Sequence, residues 1–61
     1  MKNSGLKDKN GNDILIGNEV LLDGYRFDVI INDFSKEIVV DGETGQELLS
    51  KVHSLCEVIA S

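Results

Sequence analysis

Sixty-one residues, 41% of them hydrophobic and 28% charged, confine the chain to one small domain and exclude wholesale disorder, since one core can be filled. A chain of this length removes only about 60% of its unfolded surface on folding, so stability is modest and self-association is a common supplement. The formal charge of −5 is uneven: Lys2, Lys7 and Lys9 against Asp8 leave residues 1–9 at +2 and the rest at −7, a body that repels phosphate.

No apolar stretch approaches the roughly 18 residues that span a bilayer, and the N-terminus carries no apolar signal core, so a cytoplasmic protein is expected. Cys56 is the single cysteine, which rules out an intrachain disulfide and agrees with a reducing compartment.

Residues 1–13 are polar, with an Asn10-Gly11 pair suited to a tight turn, and read as a partly flexible lead-in. Ile14, Leu15 and Ile16 are too few for a helix, and tuck an apolar strip under the body. The clearest signal follows: Glu19 to Leu22, then Asp23-Gly24, then Tyr25 to Ile31. Asp-Gly favours a two-residue type I′ turn, so the segment predicts a β-hairpin. In its second arm the two-residue period places Tyr25, Phe27, Val29 and Ile31 on a buried face, and Arg26, Asp28, Ile30 and Asn32 outside. Residues 32–35 read as a turn and Glu37 to Asp41 as a third, β-branched strand, completing an antiparallel meander.

The last sixteen residues read two ways. Leu48, Leu49, Val52, Leu55, Cys56 and Ile59 share one helical face, with Thr44 and Glu47 as a capping box, which predicts a helix over 46–59 and an α+β fold. Against it, Gly45 falls in the first turn, and the run from Cys56 to Ala60 equally suits a strand.

Several groupings resemble chemical sites and fail on detail. Asp8, Asn10, Asn12 and Glu19 approach a calcium-loop spacing, but the sixth position holds Asp13 where the bend requires glycine, and no flanking helices exist. His53 and Cys56 are three apart, yet a structural zinc site needs about four ligands and nucleophilic catalysis needs an orienting third group. A buried packing thiol and an exposed histidine fit better. Residues 42–47 lack the lysine and hydroxyl of a phosphate loop, and Asp23 with Asp28 fit solvated charges better than an acid/base pair. No catalytic, metal or cofactor residues are assigned, and an enzyme is not expected.

Two segments together resemble YopX-type phage and prophage proteins. The run GLKDKNGNDILIGNEV is similar to their opening Lys-Asp-Lys-Asn-Gly element, followed by an apolar position, Gly-Asp and valine. The tail LCEVIAS is similar to a later strand that usually reads Glu-Val-Ile-Gly. The departures are Asn18 for the usual aspartate and Ala60 for the usual glycine. The resemblance implies a small five-stranded SH3-like barrel, with strands at residues 45–49 and 56–60 around a helical turn near 50–55. It also implies a bacterial virus or integrated element as the origin, and it implies no activity.

The expected function is therefore binding. As a protein-interaction module, the chain would offer Tyr25, Ile30 and Phe34 to an unknown protein partner or a second copy. The alternative is nucleic-acid contact through Lys2, Lys7 and Lys9 on the N-terminal arm, or an acidic body that mimics nucleic acid and binds a basic host protein.

Overall fold

Asp23 and Gly24 take φ values of 55° and 84°, the left-handed pair that a type I′ turn demands, and this turn sets the register of the whole sheet. The computed structural model describes residues 2–60. Strands β1 (Asn3–Lys7) and β2 (Asp13–Leu15) form a two-stranded antiparallel sheet. Strands β3 (Glu19–Leu22), β4 (Tyr25–Ile31), β5 (Ile38–Gly42), β6 (Gly45–Leu48) and β7 (Glu57–Ala60) form a five-stranded one in the order β6-β5-β4-β3-β7. Helix α1 (Leu49–Val52) and a 3-10 turn (His53–Leu55) link β6 to β7. The fold is mainly β, in two antiparallel sheets with one short helix. Among the described residues no ladder joins β6 to β7, so the sheet is open.

The hairpin strands of the meander keep their predicted bounds, and its third strand runs one residue later than predicted, at Ile38–Gly42. Val20 pairs with Phe27 and Val29 with Val40, so the alternating side chains of three strands converge on one face. That face holds the core: Ile14, Val20, Leu22, Phe27, Val29, Val40, Leu49 and Cys56. Ile14 has no exposed surface, and burying a side chain of that kind contributes about 1.5–3 kcal/mol. Leu6 of β1 and Ile16, just after β2, pack against the same cluster.

Three expectations need correction. The polar lead-in contains a strand: β1 pairs with β2 at Asn3 with Leu15 and at Lys7 with Asp13, with a register shift between. Its sequence hid this because Leu6 is the only large apolar side chain that the strand turns inward. The 46–59 helix is also absent. Leu48 precedes α1 without a side-chain cap bond, and the helical conformation ends at Leu55, where Val58 and Glu57 pair instead with Val20 and Leu21. Only Leu49 and Cys56 of the apolar stripe are fully buried, while Leu55 is 63% exposed, so the helical spacing was not a packing face. Finally, the buried face of β4 holds at Phe27 and Val29 but fails at both ends, where Tyr25 is 56% and Ile31 38% exposed. The strand is longer than the core beneath it.

Gly42 is required by close approach. It lies across from Phe27, and a Cβ there would stand 2.7 Å from the Phe27 ring and 2.9 Å from the Arg26 carbonyl. The missing side chain lets the ring lie flat over β5.

Candidate functional site

At the Asp23-Gly24 end of the core face, the sheet outruns its cover and leaves an open groove of about 770 Å³. Its floor is Leu22 and Phe27, both buried. Its walls are Tyr25 from β4 and Val52 and Leu55 from the helical turn, with Asp23, Thr44 and Glu47 also lining it. Each strand contributes for a local reason. The turn lifts Tyr25 past the edge of the core, the flat Phe27 ring over Gly42 forms the base, and the single helical turn is too short to bury Leu55. A smaller depression of about 250 Å³ lies on the other side of Tyr25, bounded by Gly24, Arg26 and Glu43.

The residues expected to form one binding surface are not brought together. Tyr25 opens the seven-residue strand β4, which spans about 20 Å at roughly 3.3 Å per residue, and Phe34 lies beyond its other end. Phe34 is 99% exposed at the tip of the β4–β5 loop. That loop is held by Asn32, whose Oδ1 accepts from the N–H groups of Phe34 at 2.9 Å and Ser35 at 3.2 Å. Ile30 is on the reverse face of the sheet and is half-buried, because Val39 stands beside it and Leu48 beside Val39. There it packs across the strands.

The basic arm is similarly engaged. Lys7 Nζ bonds Asp13 Oδ1 at 2.6 Å and Lys9 Nζ lies 3.5 Å from Glu57 Oε1, so two of its three lysines already face carboxylates. The Lys7 hydrogen bond and charge hold the Asp13 carboxyl below its ordinary range. Lys2 is exposed, and its carbonyl accepts from Ile16 N–H at 2.7 Å, which fixes its backbone just beyond β2.

Asp8 is the most constrained ionisable group. Its Oδ1 accepts from the N–H groups of Asn10 at 2.9 Å and Asn12 at 2.8 Å, and its Oδ2 from Val58 N–H at 2.9 Å and Asn12 Nδ2 at 3.3 Å. Burial pushes the carboxyl upward, but the donors from Val58, Asn12 and Asn10 outweigh it and hold it below its ordinary 3.8. A cation would have to displace all these donors, and so the calcium-like spacing serves a turn. Burial, and then the Asp8 charge, push the Cys56 thiol upward. His53 does not pair with it: its Nδ1–H donates to the Lys7 carbonyl at 2.8 Å. Among the described residues no group of three or more His, Cys, Asp or Glu side chains is placed to hold a metal.

On the reverse face Glu19, Asp28 and Asp41 are successive cross-strand neighbours, a row of three carboxylates, with Arg26 Nη1 3.6 Å from Glu19 Oε1. No described helix is long and apolar enough to cross a membrane. The chain matches no protein family, no curated protein and no solved structure.

The groove was missed in the sequence except for Tyr25. Val52 and Leu55 were visible as members of an apolar stripe, but only the premature end of the helix turns them from core residues into groove walls.

Proposed function

We propose that this chain is a small accessory protein of phage or prophage type that acts without chemistry, as a protein-interaction module in the bacterial cytoplasm. The carrying observation is the groove between Tyr25 and Leu55, where two large apolar side chains stay in solvent above a buried apolar floor. An SH3-like barrel is the fold in this reading, built on the antiparallel order β6-β5-β4-β3-β7. The two segments that resemble YopX-type proteins bond to each other, Lys9 N–H to the Cys56 carbonyl and Val58 N–H to the Asp8 carboxylate, each at 2.9 Å.

A mimic of nucleic acid is the second reading, favoured by the Glu19, Asp28 and Asp41 row. The groove carries more weight because it supplies apolar contact area as well as charge.

The test is capture from a bacterial lysate on immobilised wild-type, Leu55→Ser and Phe34→Ser chains. Wild type and Phe34→Ser are expected to retain the same partner and Leu55→Ser to lose it. Retention by Leu55→Ser would remove the groove from the interface, and loss by Phe34→Ser alone would move the contact to the β4–β5 loop.

A further inference from the structure

We infer that the groove takes an extended segment of another protein that alternates lysine or arginine with large apolar side chains; this rests on the interaction reading above. The apolar half of the specificity follows from the floor of Leu22 and Phe27 and the exposed walls of Tyr25 and Leu55. The charged half follows from the rim. The two charged residues that line the groove, Asp23 and Glu47, are both carboxylates, and Glu43 stands across Tyr25 in the adjoining depression. The single cation bordering that depression, Arg26, is already directed to Glu19 at 3.6 Å. An apolar anchor that desolvates such a rim without bringing positive charge leaves carboxylates uncompensated, whereas flanking lysines pair with them and speed encounter.

The same charges exclude a second copy as occupant. The best apolar knob on this molecule is Phe34, but its loop carries Asp33 and Glu37 against Lys36 alone, and the whole chain is at −5. Docking it at Asp23 and Glu47 would set like charges together. A basic segment reverses that sign, and an extended one suits an open groove set between a strand turn and a helical turn.

The probes are three synthetic hexapeptides followed by amide chemical-shift mapping on the whole chain. One alternates lysine and arginine with leucine and phenylalanine, the second replaces its basic residues with glutamate, and the third replaces its apolar residues with serine. The first is expected to shift the amides of Leu22, Thr44, Glu47 and Leu55 saturably, with binding that weakens as salt is raised. The other two are expected to leave them in place. A variant with Asp23→Asn and Glu47→Gln, which keeps the left-handed turn residue, is expected to bind the first peptide about fivefold more weakly at low salt. Its unchanged thermal midpoint would verify the fold. Equal groove binding by the glutamate peptide would overturn the charge preference and leave the interaction reading standing. Failure of all three to move any groove amide would overturn both. Groove shifts that grow with protein concentration alone would replace the basic segment with a second copy.

Discussion

Asp8 and Val58 lie fifty residues apart, and the carboxylate of the first accepts the backbone N–H of the second at 2.9 Å. With Lys9 N–H bonded to the Cys56 carbonyl, the 8–12 turn does for the outer side of β7 what a neighbouring strand would do. Unpaired strand edges invite association with other chains, and this one is partly occupied by the protein's own turn.

Replacing Asp8 with Ala leaves the N–H groups of Asn10, Asn12 and Val58 without their acceptor, and the expected loss of stability is about 1–3 kcal/mol. The pH dependence has a definite sign. The folded carboxyl sits below its ordinary 3.8, so the stability it contributes is present above that value and is lost as pH falls through the folded pKa. Denaturant melts between neutral and strongly acidic pH are expected to show this acid loss in wild type and a shallower one in Asp8→Ala. Parallel slopes would remove Asp8 as the cause. Hydrogen exchange at Val58 would independently report the opened edge.

Gly42→Ala is expected to destabilise the fold by about 1–3 kcal/mol, since the new methyl overlaps the Phe27 ring and the backbone carbonyl of Arg26. The ring can swing, and its free direction is the groove. Ring proton shifts of Phe27 would therefore move together with a lower denaturation midpoint. An unchanged midpoint and unchanged ring shifts would mean that β5 absorbs the methyl.

Asp28 sits between Glu19 and Asp41 in the register, with like charge on both sides. Asp28→Asn removes both repulsions without changing shape, and is expected to raise stability by about 0.2–1 kcal/mol at low salt. The gain should shrink as salt screens the row. A loss of stability at every ionic strength would mean that the Asp28 charge is favourable here.

The legible part of this fold was the part governed by nearest neighbours. Asp23-Gly24 specifies its own turn, and the alternation at Val20, Leu22, Phe27 and Val29 specifies one face, so the hairpin follows from a dozen residues. The N-terminal strand was illegible because its partner is chosen by packing of Ile14 and Leu6 on a core built elsewhere. The C-terminal segment carried a true helical period, yet two strand edges competed for it: β5 took residues 45–48 and β3 took residues 57–60, leaving one turn of helix between. Tyr25 was recognised as a contact residue for its chemistry. Its groove could not be foreseen, since it exists only where that shortened helix fails to cover the end of the hairpin.

The pairing of residues 57–60 with residues 19–22 also governs when this protein can become itself. During synthesis the hairpin can form early, but Val20 and the unfilled side of β3 stay naked until residues 57–60 leave the ribosome. A chain stalled before Glu57 would present that bare strand to chaperones and proteases, so the cell would meet an adhesive intermediate before it meets the finished domain.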